Sequence, residues 1–127
     1  MIKEIVICII IIVSILGLEF YTQNFTEKTV KEITEIFSKI EGYMKNQDIE
    51  QRDKEVEEIA NRWEEKQKKL AYYIEHDELE KVHTAIVTMT SYIETDNFSN
   101  AMAVLEEGKF IIEHIQEKNA FNLQNIF

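Results

Sequence analysis

An apolar run near the N-terminus constrains this chain more than any other feature. Ile5 to Leu18 contains 14 residues without a charge, of which seven are Ile, two are Val and two are Leu. As a helix this run is about 21 Å long, short of a hydrocarbon core of roughly 30 Å. The flanks extend it, because Ile2 precedes the run, Phe20 follows it, and Lys3 can snorkel to the headgroups. A soluble helix with no polar face needs a large protein around it. We therefore predict a transmembrane anchor over residues 1–21.

Two other interpretations of the run stay open. The first is a cleaved signal peptide, which needs small residues around the cut site. Gly17 suits one of these positions, whereas Ile15 is bulky at the other, so an uncleaved anchor is favoured. The second is a soluble bundle that buries the run in its interior.

The charge distribution predicts how the anchor is oriented. Before the run lie the amino terminus and Lys3, and the first basic residue after it is Lys28. The positive-inside rule then places the N-terminus in the cytoplasm and the remaining chain outside the cell membrane. Beyond Tyr21 the chain has 13 basic residues (14 less Lys3) and 22 acidic ones (24 less Glu4 and Glu19), so its net charge is −9. Such a domain is a poor candidate for binding nucleic acid and is expected to stand off from anionic lipid.

Residues 22–127 have the pattern of an all-α domain. The sequence has no Pro and three Gly, so turns have few favoured positions. Apolar residues recur at spacings of three and four in successive segments, as in helices that pack together. These apolar stripes run over Val30–Met44, Ile49–Ile74, Leu79–Ile93 and Phe98–Ile115. Short polar turns separate them, so we predict a small antiparallel bundle of about four helices, arranged as two helical hairpins.

Capping patterns predict where these helices begin. The second helix is expected to start at Asp48, the third near Asp77 and the fourth after Asp96 and Asn97. The first helix has two possible beginnings. Either Thr29 caps it together with Glu32, or it runs straight out of the membrane.

A weak internal repeat with an offset of 49 residues relates the two hairpins. The matching positions are Ile33 with Val82, Phe37 with Ile86, Ile40 with Met89, Tyr43 with Tyr92, Met44 with Ile93, and Ile49 with Phe98. Heptad patterning alone would produce part of this match. The repeat predicts that each hairpin has a Tyr near the end of its first helix and a polar turn after it.

The sequence carries no recognisable catalytic motif, so we expect no enzyme. Three scattered glycines cannot form a phosphate-binding loop, and the lone Cys has no partner for a disulfide or a thiolate metal site. Trp63 falls on the apolar stripe of the second helix, and we expect it to lie in the core rather than in a binding site.

The three histidines form the strongest alternative site. Glu80 and His83 have the i, i+3 spacing of ligands in di-iron bundles, and His76 and His114 each follow an Ile-Glu pair. A sensor domain that binds a ligand or a metal through His76, His83 and His114 is therefore one hypothesis. A di-metal bundle needs two such Glu-x-x-His units, however, and the sequence contains one. We therefore predict no metal, cofactor or catalytic site.

Several short motifs give the chain a resemblance to a known family. They are Trp63, Leu70, Ile74-Glu75-His76-Asp77-Glu78-Leu79, Tyr92-Ile93 and Ile112-Glu113-His114-Ile115, and they follow the N-terminal apolar anchor. Over nearly its whole length the chain resembles the family catalogued as domain of unknown function 4363. The resemblance implies a small single-pass protein of a spore-forming Gram-positive bacterium, with an uncleaved anchor and a helical outer domain. It implies no catalytic or ligand residues.

The sequence thus predicts a membrane-anchored, non-catalytic helical module at the outer face of a bacterial cell membrane. Its expected partners are the lipid bilayer, through Ile5–Leu18, and another membrane protein or a second copy of the chain.

Overall fold

Helices make up almost all of the described chain. A computed structural model describes the backbone of residues 1–126 and the side chains of residues 1–121. Within this part, four helices follow one another: α1 (Ile2–Lys45), α2 (Ile49–Leu70), α3 (His76–Glu94) and α4 (Phe98–Ile126). The predicted all-α fold class is confirmed.

The apolar run and the first helix of the bundle are parts of the same helix. α1 is 44 residues long, which corresponds to about 66 Å. The capping box at Thr29 is therefore wrong, and the alternative of a helix that runs straight on is confirmed. Two threonines of this stretch bond inside the helix: the hydroxyls of Thr22 and Thr26 donate to the carbonyls of Glu19 and Thr22, at 3.0 and 2.8 Å. Their polar groups are satisfied without ending the helix.

The helix starts follow the predicted caps closely. The Asp48 side chain accepts a hydrogen bond from the backbone N–H of Gln51 at 3.3 Å, as predicted for the start of α2. α3 begins at His76, one residue before the expected position, which leaves Asp77 in its first turn. A carboxylate there is favourable, because it faces the positive end of the helix dipole.

The helices pack as an antiparallel bundle. α1 packs on α2 and α4, and α3 packs on the same two helices. Glu41 lies beside Lys109, whereas Thr26, earlier in α1, lies beside Asn119, later in α4, so these helices run in opposite directions. The α1–α2 and α3–α4 turns therefore lie at one end of the bundle, which we call the distal end. The α2–α3 connection lies at the other, proximal end, where α1 continues into the apolar run.

The predicted stripes supply the core. Its buried apolar residues are Val30, Ile33, Ile36, Phe37 and Ile40 in α1; Ile59, Trp63 and Leu70 in α2; Leu79, Val82, Ala85, Ile86, Met89 and Ile93 in α3; and Ala101, Leu105, Ile112 and Ile115 in α4. Trp63 is 1% exposed, which confirms its assignment to the core. Ile49 and Phe98 are exposed instead, because both lie at the start of a helix, next to the distal turns.

The internal repeat is confirmed in the geometry of the distal turns. Gln47 and Asp96, 49 residues apart, both have φ of 57°. The backbone N–H of Asp48 donates to the carbonyl of Tyr43 at 2.9 Å, and that of Asn97 donates to the carbonyl of Tyr92 at 2.8 Å. The two hairpins thus have a residue in the left-handed conformation at the same position of the turn, and the next residue makes the same backbone hydrogen bond to a tyrosine carbonyl.

Candidate functional site

The apolar run projects from the proximal end of the bundle with its side chains uncovered. The large hydrophobic residues of Ile5–Leu18 are 46–65% exposed, and no part of the most apolar window is buried. By length and composition, α1 is the one helix of the described chain that could cross a membrane. The interpretation that buries this run in its own bundle is wrong. The signal-peptide interpretation stays open, because a signal sequence has the same composition.

A polar network ties α1 to the bundle where the run ends. The Tyr73 Oη lies 2.7 Å from Thr26 Oγ1 and 3.2 Å from the carbonyl oxygen of Thr22. Because the Thr26 hydroxyl donates to the Thr22 carbonyl, the Tyr73 hydroxyl has these two oxygens as its acceptors. Asn119 Nδ2 donates to Thr26 Oγ1 at 3.5 Å. Burial raises the pKa of the Tyr73 phenol, against the opposing effect of its bond with Thr26. α1, the α2–α3 connection and α4 thus meet in one network at the base of the bundle.

Aromatic and basic side chains surround this junction. The rings of Tyr21 and Phe25 stack with their centroids 6.3 Å apart. The Nζ atoms of Lys66 and Lys69 both lie 5.6 Å from the centroid of the Phe25 ring, which is within cation–π range. These lysines extend from the last turns of α2 towards α1.

An open groove between α2 and α3 lies at the distal end, with a volume of about 520 Å³. We call it the α2/α3 groove. Its apolar lining consists of Val56, Ala60 and Ile93, together with the methyl-bearing Thr90. Its carboxylates are Asp53, Glu57, Glu94 and Asp96. The groove combines an apolar floor with a predominantly acidic rim.

Arg52 also lines the α2/α3 groove. It is buried, its Nε and Nη2 donate to Asp53 Oδ1 at 3.0 and 2.9 Å, and its guanidinium carbon lies 5.5 Å from the centroid of the Phe98 ring. Sequence reasoning missed this groove. A signal was present, because Arg52 interrupts the apolar stripe of α2 at the position that Ala101 occupies in the second hairpin.

The histidines of the sensor hypothesis are exposed side chains. His76 Nε2 lies 2.8 Å from Glu80 Oε2, and the His114 ring stacks on Phe110 with centroids 6.3 Å apart. His83 lies on the exposed side of α3. Within the part of the chain that the structure describes, no group of three or more His, Cys, Asp or Glu residues is placed to hold a metal ion.

Comparison with known proteins identifies the family of the chain. No curated protein and no solved structure shows a significant match to it. A family model, described as domain of unknown function (DUF4363), matches residues 20–126. The match begins just beyond the apolar run and covers the whole bundle. The chain therefore belongs to the domain of unknown function 4363 family.

Proposed function

We propose that this protein is a membrane-anchored helical module without catalytic activity, and that its bundle stands outside a bacterial cell membrane. The exposure of the whole run Ile5–Leu18, in a chain whose bundle packs without it, carries the proposal. Transfer of Ile, Val and Leu into a membrane is favourable by roughly 0.3–0.6 kcal/mol for each residue, and the run has eleven of them. The position of Lys3 supports a cytoplasmic N-terminus.

Cell fractionation and external protease test the anchor and its orientation separately. We expect the full-length protein in the membrane fraction, with its bundle degraded by protease added to cells whose wall has been removed. Ile11→Arg should lower the fraction of protein in the membrane, because a charge at mid-helix costs about 3 kcal/mol of insertion, which is roughly half or more of what the run contributes. Ile11→Leu is the matched control and should stay in the membrane. A soluble wild-type protein would contradict the anchor, and a protected bundle would contradict the orientation.

The second part of the proposal is that the bundle binds another protein through the α2/α3 groove. Asp53 is paired with Arg52, and the other three carboxylates of the groove, Glu57, Glu94 and Asp96, favour a basic partner segment. Complementary charge steers association and selects partners. The floor formed by Val56, Ala60 and Ile93 offers contact for an apolar side chain between the basic ones. The groove lies between α2 and α3 near the distal turns, so the partner segment would bind at the end of the bundle farther from the anchor.

Site-specific photo-crosslinking in cells tests this binding face. A benzophenone side chain would replace Ala60, which is exposed in the groove, or Ala103, which is exposed on α4. We expect a discrete adduct with a second protein from position 60, and a crosslinked peptide that contains Lys or Arg. Glu57→Lys should remove the adduct, whereas Glu106→Lys on α4 should leave it. Equal adducts from both positions would contradict the binding face.

A further inference from the structure

Six aromatic side chains are exposed in the described part of the chain, and four of them lie at the proximal end of the bundle. The other two are Phe98, at the distal end, and Phe110, midway along α4. Phe20 and Tyr21 follow the apolar run and are 74% and 58% exposed. Tyr72 in the α2–α3 connection is 90% exposed, and Phe121 on α4 is 62% exposed. Tyr21 and Tyr72 carry the amphipathic ring that is enriched where protein meets lipid headgroups, and the rings of Phe20 and Phe121 add apolar surface at the same end.

The register of the bundle on α1 sets the height of this end above the apolar run. The Tyr73 Oη bonds to the carbonyl of Thr22, which lies four residues beyond Leu18. Four residues of helix rise about 6 Å. The headgroup layer on each side of a bilayer is about 5–7 Å thick. The α2–α3 connection therefore lies level with the headgroups if Leu18 lies at the edge of the hydrocarbon.

The lysines at the end of α2 have the chemistry of headgroup ligands. Lys68 and Lys69 fall in the last turn of α2 and are exposed, and the Lys69 Nζ lies over the Phe25 ring. The nearby carboxylates of Glu75 and Glu78 already face a cation, because Lys118 Nζ lies 3.8 and 3.5 Å from them. These two acids are therefore already partly neutralised, which leaves the exposed lysines of α2 able to bind a lipid phosphate.

We propose that the proximal end of the bundle is immersed in the lipid headgroup layer, with Tyr72 among the headgroups and Lys68 and Lys69 on lipid phosphates. This inference rests on the proposed membrane anchoring. It differs from the expectation, drawn from the net charge of −9 beyond Tyr21, that the domain stands off from anionic lipid. The net charge describes the whole domain, whereas contact with the bilayer depends on the residues at the proximal end, which α1 holds next to the membrane.

Fluorescent labels on single cysteines test the immersion in the full chain. A label on the natural Cys8 measures the surroundings of the anchor. In two variants that also carry Cys8→Ala, a label at Tyr72→Cys measures the surroundings of the proximal end, and one at Ser99→Cys those of the distal end. Each protein carries the polarity-sensitive dye NBD and is placed in nanodiscs of phosphatidylglycerol and phosphatidylethanolamine. We expect quenching by acyl-chain spin labels at position 8. We expect a blue-shifted emission with quenching by headgroup spin labels at position 72, and neither effect at position 99.

The outcomes separate the two proposals. Deep quenching at position 8 with a water-like, unquenched label at position 72 would overturn the immersion and leave the anchor standing. No quenching at position 8 would overturn both. Lys69→Glu should reduce headgroup quenching at position 72, whereas Lys54→Glu, an exposed lysine of α2 nearer the distal end, should not. Unchanged quenching with Lys69→Glu would remove the lysine contact from the proposal.

Discussion

Gly108 and Gly42 both lie inside helices, yet the same substitution is expected to act on them in opposite ways. A Cβ at Gly108 would lie 2.8 Å from Phe37 Cζ and 3.4 Å from Ala85 Cβ, whereas one at Gly42 meets nothing within 4 Å. Overpacking of a core costs about 1–3 kcal/mol, which exceeds the ~1 kcal/mol that Ala gains over Gly in a helix. We expect Gly108→Ala to lower the free energy of unfolding and Gly42→Ala to raise it by about 0.5–1 kcal/mol. Urea titration of both variants in one detergent checks this, and equal stabilities would contradict the packing at Gly108.

Tyr73 predicts an alkaline limit to the stability of the bundle. Burial raises its pKa, so above the ordinary tyrosine pKa of about 10 the unfolded chain ionises this phenol while the folded chain keeps its proton. The free energy of unfolding should therefore fall as the pH rises through that range. Tyr73→Phe should cost about 1 kcal/mol at neutral pH through its lost hydrogen bonds, and should show a smaller alkaline loss. Unfolding at pH 7 and at about pH 10.5 measures both effects. Tyr72→Phe is the exposed control, and identical pH profiles for the wild type and Tyr73→Phe would contradict the assignment.

At the scale of elements, the distal turns carry strain in unequal amounts. Gln47 and Asp96 share a φ of 57°, a conformation that costs most residues roughly 1–2 kcal/mol and that Asp tolerates better. Gln47→Gly should therefore raise the free energy of unfolding by about 0.5–1 kcal/mol, after the entropy cost of Gly, and Asp96→Gly should raise it less. Gln67→Gly, inside α2, should instead lower it by about 1 kcal/mol. Thermal unfolding compares the three, and a larger gain at Asp96 than at Gln47 would contradict this account.

The elements themselves were largely predictable from the sequence, because helix starts and apolar stripes are local signals. The Asp48 cap and the stripe Leu79–Ile93 are found as predicted. The sequence did not decide whether α1 is one helix or begins at Thr29, because Thr29 and Glu32 match a capping pattern. Packing against the rest of the bundle keeps Thr29 inside the helix. In the structure Thr29 is buried against the bundle and helical, so it caps nothing.

At the scale of the whole molecule, the apolar run was predictable and the junction was not. By composition, Ile5–Leu18 is apolar enough for a membrane span or for a signal sequence. The network that joins Thr26, Tyr73 and Asn119 depends on the register of three elements that are far apart in sequence. No local pattern encodes that register, so the height of the proximal end could not be predicted from the sequence. For the α2/α3 groove, the break that Arg52 makes in the apolar stripe marks a position but not a shape.

Because α1 is one unbroken helix, the direction in which the bundle faces around the helix axis depends on the number of residues between the apolar run and the bundle. Each residue added to a helix turns the rest of that helix by about 100° and lifts it by about 1.5 Å. Two alanines inserted after Phe20, outside the network that begins at Thr22, would turn the bundle by about 200° and lift it by about 3 Å. Four alanines would turn the bundle to within about 40° of its original direction and lift it by about 6 Å. If a neighbouring membrane protein meets the bundle in a fixed direction, crosslinking from Ala60 should survive four alanines better than two. The reverse order would mean that the partner senses height above the lipid and not direction.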